Sequence, residues 1–181
     1  MKKAIFLDRD GTINVEKDYL HKIEDFQFET GVLEGLKLFK KLGYIVIVVT
    51  NQSGIARGYY TEEDLNKLNE YMCEKVKEYG GEIAKCYYCP HHEKKGIGKY
   101  KVNCQCRKPE PGMLNQGIQE YNIDIKNSYM VGDKISDIEA GKNVGLTPIL
   151  VKTGYGRKTL EKESVDCKVY ENLLQFAKTL I

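Results

Sequence analysis

Ala4-Ile5-Phe6-Leu7-Asp8-Arg9-Asp10-Gly11-Thr12 is an apolar run that stops abruptly at two carboxylates. Four apolar residues in succession, with no polar alternation, form the pattern of a strand buried on both faces of a parallel sheet. Gly11 permits the sharp turn that must follow. Asp8 and Asp10 stand one residue apart after the strand. The first can face a substrate as nucleophile while the second reaches the leaving-group oxygen. A loop capped by aspartates is the plainer reading of a bare Asp-x-Asp-Gly, but the complete string after an apolar strand favours chemistry.

The same punctuation recurs along the chain. Ile45–Val49 is almost wholly β-branched and leads into Thr50-Asn51, Tyr129–Val131 precedes Gly132-Asp133, and Pro148–Val151 precedes Lys152. Helical periodicity fills the intervals. Val32, Leu33, Leu36, Phe39, Lys40 and Leu42 make a stripe closed by Gly43. Thr61, with Asp64 three residues on, resembles a capping box and opens a helix through Leu65, Leu68, Met72 and Val76 to Gly80-Gly81. Further helices are predicted after Pro111-Gly112, over Ser136 to Val144 and over Asn172 to Leu180. This alternation predicts an α/β fold with a doubly wound, mainly parallel, Rossmann-like sheet, in a single domain over 1–181. Asp8, Thr50 and Asp133 then each sit just past the C-terminal end of a strand, the edge at which open α/β sheets bind ligands.

Composition narrows the class. Of 181 residues, 41% are hydrophobic and 30% charged, with a formal net charge of +2. That balance suits a soluble globular chain and supplies no basic stripe for nucleic acid. The N-terminal apolar stretch is too short for a secretory leader, and no segment has the length to span a bilayer. A cytoplasmic monomer without membrane or nucleic-acid partners is expected.

Six cysteines are present. Cys73 and Cys167 stand apart, whereas Cys86, Cys89, Cys104 and Cys106 lie close together, which in a cytosolic chain points to metal. Cys89-Pro90-His91 and Cys104-Gln105-Cys106 bracket a Lys- and Gly-rich loop at about 86–109 and fit a tetrahedral zinc site. Three thiolates favour zinc over magnesium. Spacing alone leaves Cys86 as a rival to His91, with His92 a further reserve. Cys86 falls in a predicted strand, Ile83–Tyr88, where side chains three apart face opposite ways. After Cys106 come Arg107 and Lys108, the latter able to neutralise a transferring phosphoryl group. Asp133 offers another metal-ligating carboxylate, while Asp137 or Ser136 suits a helix cap.

In order, Asp8-Arg9-Asp10-Gly11-Thr12, Thr50 after Val48-Val49, Lys108, and Gly132-Asp133 resemble the four motifs of the haloacid dehalogenase superfamily of phosphatases. Within it the chain is similar to the D,D-heptose 1,7-bisphosphate phosphatases and the related histidinol-phosphate phosphatases. Thr50-Asn51-Gln52-Ser53-Gly54-Ile55-Ala56-Arg57-Gly58, Tyr88-Cys89-Pro90-His91-His92, Cys104-Gln105-Cys106-Arg107-Lys108-Pro109 and Met130-Val131-Gly132-Asp133-Lys134 carry that likeness, over roughly Lys3 to Tyr155. The resemblance implies an aspartyl phosphate on Asp8, with Asp10 as acid and then base. It implies that Thr50 and Lys108 stabilise the phosphoryl group, and that magnesium is held by Asp8, the Asp10 main chain and Asp133. It also implies zinc on Cys89, His91, Cys104 and Cys106.

The intervals between motifs leave no room for the cap domain that many members carry, so loops must shape the site. Glu16, Lys17, Asp18, Tyr19, Asn51, Gln52, Ser53 and Arg107 match substrate-contacting positions, and Arg57 is a further candidate. A mobile polar loop is the plainer reading of Glu16–Tyr19. The expected substrate is a small phosphorylated metabolite, best matched by D-glycero-D-manno-heptose 1,7-bisphosphate losing its 7-phosphate. Histidinol phosphate is the rival. A 3′-phosphorylated DNA end is more distant, and a non-catalytic zinc module that binds a protein partner is the alternative of another class. The intact pair Asp8 and Asp10 argues against the last.

Overall fold

A computed structural model describes residues 1–181. Six strands form one parallel sheet: β1 (Ala4–Leu7), β2 (Ile45–Asn51), β3 (Lys85–Cys89), β4 (Tyr129–Gly132), β5 (Thr147–Val151) and β6 (Lys168–Tyr170). Their spatial order is β3-β2-β1-β4-β5-β6, and every pairing is parallel. The winding reverses between β1 and β4, which opens a crevice beyond their C-terminal ends. The helices are α1 (Val32–Lys41), α2 (Ser53–Ala56), α3 (Glu62–Glu78), α4 (Gly112–Tyr121), α5 (Ile135–Asn143), α6 (Gly156–Lys162) and α7 (Leu173–Lys178).

Each strand divides its side chains between two cores, as period-two alternation requires. Ile5, Leu7, Val46, Val48 and Val131 meet α1, α3 and α7 through Leu36, Phe39, Met72, Val76 and Phe176. Ala4, Phe6, Ile47, Val49 and Met130 meet α4 and α5 through Met113, Leu114 and Ala140. Double-sided burial therefore explains why the strands read as unbroken apolar runs.

The capping box at Thr61 forms as the sequence indicates: Asp64 N–H donates to Thr61 Oγ1 at 3.1 Å, and Thr61 N–H donates to the Asp64 carboxylate at 2.9 Å. Three features differ from expectation. Thr50 lies inside β2 rather than beyond it, because the strand continues to Asn51 in register with Cys89 of β3. β3 starts and ends later than Ile83–Tyr88, taking in Cys89. β6 and α6 arise in a tail with no strong apolar periodicity, where β6 pairs with β5 at the sheet's edge. No helix is long and apolar enough to cross a membrane. Thr61→Ala removes one half of the capping box, and a loss of about 1 kcal/mol is expected in urea unfolding.

Candidate active site

Asp8 follows β1 at the point where the winding reverses, and its N–H donates to the Val131 carbonyl of β4 at 3.0 Å. Asp133 follows β4. Asp8, Asp133 and Asp137 bring carboxylate oxygens within 4.8 Å of one another, and all three are buried. Lys108 enters from the segment after the cysteine loop: its Nζ donates to Asp8 Oδ1 at 2.9 Å and to Asp137 Oδ1 at 2.7 Å. Only 4% of Lys108 is exposed. Burial alone would lower its pKa, but Asp137 and Asp8 outweigh that and hold the ammonium charged. Burial, and then the charges of Asp8 and Asp137, push the Asp133 carboxyl well above its ordinary range. Asp137 is raised too, by burial that Lys108 only partly offsets.

The seat of Asp133 is built from backbone. Tyr155 N–H donates to its Oδ2 at 2.7 Å, and Thr159 Oγ1 donates to its carbonyl at 2.9 Å. Gly11 (φ +85°) and Gly154 (φ +53°) close over that carboxylate; a Cβ on either would stand 2.2 or 2.3 Å from Oδ2. The other oxygen, Oδ1, is buried without a hydrogen-bond partner. An unpartnered buried carboxylate oxygen beside two further carboxylates, all hard donors, fits a magnesium ion.

Asp10 faces elsewhere. Its carboxylate accepts from Arg9 Nη2 at 3.1 and 3.2 Å, from Asn14 Nδ2 at 3.0 Å and from Gln52 Nε2 at 2.9 Å. Burial raises its pKa, but Arg9, Asn14 and Gln52 together hold the carboxyl below its usual range. The Arg9 guanidinium is fully buried and also bonds Asn69 of α3 and the Leu20 carbonyl. Gln52 Nε2 bonds Thr50 Oγ1 as well, at 2.8 Å, and its Oε1 accepts from the Tyr60 hydroxyl.

A cleft of about 370 Å³ opens beside Asp10 and Lys108. Glu16, Asp18, Tyr19, Asn51, Gln52, Ser53 and Arg107 of the sequence-predicted residues line it; Lys17, which is exposed, does not. Arg57 lies over the Tyr19 ring at 5.6 Å, outside the lining. Sequence reasoning missed Lys134, Tyr60 and Tyr155 in the lining, and Asp137 in the carboxylate cluster. The signal for Asp137 was the four-residue spacing from Asp133 across a helix start. Its capping role is real, since Oδ2 accepts from Lys134 N–H at 3.0 Å, while Oδ1 serves Lys108. Lys134 Nζ is 3.6 Å from Glu16 Oε2 across the cleft.

The cysteine loop gathers Cys89, His91, Cys104 and Cys106, whose ligand atoms lie within 4.8 Å of one another. Cys89 Sγ is 3.5 Å from Cys104 Sγ, and Cys106 Sγ is 3.4 Å from His91 Nδ1. Hydrogen bonding from Cys89 lowers the Cys106 thiol to about 5. Cys86 lies on the opposite side of β3, 3.9 Å from Cys73, and His92 Nδ1 accepts from Lys94 and Lys95 main-chain N–H groups. Neither joins the cluster. Three facing thiols and an imidazole are a soft donor set that suits zinc.

An acid whose folded pKa lies above its unfolded value adds stability at low pH and withdraws it as pH rises through the folded value. Metal-free Asp133 is therefore destabilising at pH 7. Asp133→Asn is expected to raise the urea midpoint of metal-free protein at pH 7, with a smaller gain at pH 5.5. A lowered midpoint at pH 7 overturns this account of the cluster.

Comparison with known proteins agrees with this geometry. The HAD-hydrolase-like family model matches residues 105–175. A D-glycero-β-D-manno-heptose-1,7-bisphosphate 7-phosphatase of Pasteurella multocida is 52% identical over 155 residues, covering 85% of this chain and 84% of that protein. A D-glycero-α-D-manno-heptose-1,7-bisphosphate 7-phosphatase of Photorhabdus laumondii is 48% identical, covering 84% of each chain. The crystal structure of a D,D-heptose 1,7-bisphosphate phosphatase from B. bronchiseptica, complexed with magnesium and phosphate, superposes with a TM-score of 0.89. It shares 33% identity, over 98% of this chain and 97% of that one. With its parallel sheet, its carboxylates at the reversal point and these relatives, the chain belongs to the haloacid dehalogenase-like phosphatases, in the heptose bisphosphate phosphatase family.

Proposed function

We propose that this phosphatase removes the 7-phosphate of D-glycero-D-manno-heptose 1,7-bisphosphate through an aspartyl phosphate on Asp8. The observation that carries the reading is the buried meeting of Asp8, Lys108, Asp133 and Asp137 at the sheet's reversal point. The names of the relatives supply the substrate.

An Asp8 oxygen attacks phosphorus, and the bond from phosphorus to the sugar oxygen breaks. Asp10 gives its proton to the departing alkoxide. Water then attacks the aspartyl phosphate, Asp10 takes its proton, and phosphate leaves with Asp8 restored. In the resting site Arg9, Asn14 and Gln52 keep Asp10 ionised; an arriving phosphate dianion raises its proton affinity, and Asp10 takes up a proton from solvent to become the acid. Thr50 Oγ1 donates to a phosphoryl oxygen, and the Lys108 ammonium offsets the charge that builds there. Asp8, the Asp10 main-chain carbonyl and Asp133 would hold magnesium, which relieves repulsion between substrate and carboxylates. Asp137 holds Lys108.

Such charge stabilisation has to do much of the work. Phosphate-monoester hydrolysis is accelerated by up to on the order of 10²¹-fold in enzymes, whereas positioning supplies about 7–11 kcal/mol of barrier. Arg107 and Lys134 line the cleft and offer cations to the remote phosphate or the sugar hydroxyls. Asp18 and Tyr19 hold left-handed backbone (φ 41° and 61°), and Asp18 accepts from the Tyr155 hydroxyl at 3.2 Å, so the loop is pinned over the cleft.

Asp8→Asn is expected to abolish phosphate release without unfolding the protein, as circular dichroism will read; retained turnover refutes the nucleophile. Both heptose bisphosphate anomers, histidinol phosphate and a 3′-phosphorylated oligonucleotide should be tested with magnesium. Release from the heptose substrates above the others is expected, and preference for another member reassigns the substrate. Cys89, His91, Cys104 and Cys106 would hold zinc as a structural ion. Structural zinc is worth about 10–16 kcal/mol in small peptides, but the sheet here has its own cores. Chelation is expected to expose amides of residues 90–107 to hydrogen exchange, to leave β1, β2 and β4 protected, and to lower activity by displacing Lys108. Full activity in protein shown by elemental analysis to lack zinc counts against that coupling.

A further inference from the structure

Lys108 has to carry an ammonium into a nearly closed site, yet its segment has no regular structure to hold it. Neither helix nor strand occurs between Tyr100 and Gly112. A lysine stem carries up to about 2 kcal/mol of rotamer entropy, so a loosely held backbone would leave the charge poorly aimed. What fixes the backbone at this residue is Asn51. Lys108 N–H donates to Asn51 Oδ1 at 3.0 Å, and Asn51 Nδ2 donates to the Lys108 carbonyl at 3.1 Å. The two bonds close a ring, with the side-chain amide imitating a ladder partner from the neighbouring strand. Its oxygen and nitrogen are each matched to the one group of Lys108 that suits them, so the amide has a single satisfactory orientation. No other side chain bonds the Lys108 main chain.

Asn51 can do this because it is rigidly placed. It is the last residue of β2, in register with Cys89. Gln52 after it turns to Asp10 and to Thr50 Oγ1. Asn51 lines the cleft, where the resemblance put it among substrate contacts, and each of its polar atoms also bonds the Lys108 main chain.

We infer that Asn51 is a positioning residue, acting on the transferring phosphoryl group only through the Lys108 ammonium. The inference rests on the aspartyl-phosphate reading for the role of Lys108, though not for the clamp. Asn51→Ala tests it with heptose 1,7-bisphosphate and with p-nitrophenyl phosphate, magnesium present. kcat is expected to fall about tenfold to a hundredfold, the scale of a small misplacement in an active site, with KM within about threefold of wild type. In parallel, brief acetic anhydride treatment read by peptide mass spectrometry scores every lysine. Lys108 is expected to become several times more reactive in the variant while the exposed lysines do not change.

A general loss of structure would instead lower the melting midpoint and raise labelling throughout. If Asn51→Ala does not fold, Asn51→Asp, which keeps an acceptor for Lys108 N–H and loses the donor to the Lys108 carbonyl, takes its place and should show a smaller rise in Lys108 labelling. Unchanged kcat, a rise in KM without a fall in kcat, or Lys108 as protected as in wild type overturns the inference. Should the wild-type enzyme release phosphate from neither compound, the aspartyl-phosphate reading fails, and the labelling still decides whether Asn51 holds Lys108.

Discussion

One buried ammonium joins carboxylates that would otherwise repel. Lys108 reaches Asp8 and Asp137 from a position almost closed to water, with Asp133 alongside. Three acidic groups meet one base, so the cluster remains electron-rich even after the ion pairs form. Removing ions of this size from water costs several kcal/mol each, and incomplete pairing leaves much of that cost uncompensated. The protein tolerates the imbalance where stability alone would have favoured apolar packing. The unpartnered oxygen of Asp133 marks the place where compensation is missing.

The rest of the fold supplies positions for that cluster. Asp8 and Asp133 come from adjacent strands whose connections run to opposite sides, so no loop crosses the gap between them. Gly11 and Gly154 let two turns approach the Asp133 carboxylate more closely than side chains would permit. Behind the cluster, buried Arg9 ties Asp10, α3 and the loop at Leu20 into one unit. The acid and base chemistry assigned to Asp10 is therefore set by Arg9, Asn14 and Gln52.

Local sequence carried much of this. Unbroken apolar runs gave away β1 and β2 because burial on both faces removes the polar half of a strand's alternation. Thr61 and Asp64 marked the start of α3 because a capping box is a contact between near neighbours. Contacts made only by the folded chain were illegible. Nothing near Asn51 shows that its amide will face Lys108, and nothing near Lys134 places it in the cleft. Asp137 was read as a cap, which it is; its second oxygen acquires its role from a lysine brought in by a distant loop. β6 went unseen because an edge strand of three residues has too little apolar periodicity to register. Gly154 has no sequence signature either, since the need for a residue without a side chain comes from Asp133.

The one-residue alternation of β3 also partitions sulfur. Cys86 joins Cys73 behind the sheet, whereas Cys89 joins Cys104 and Cys106 in front, and the strand backbone stands between the two groups. Thiol exchange between them is blocked as long as β3 stays paired with β2. A disulfide formed among the front thiols therefore does not pass to the rear pair by exchange. Damage to the loop is thus insulated from the interior, and the sheet serves as a bulkhead between two chemically similar compartments.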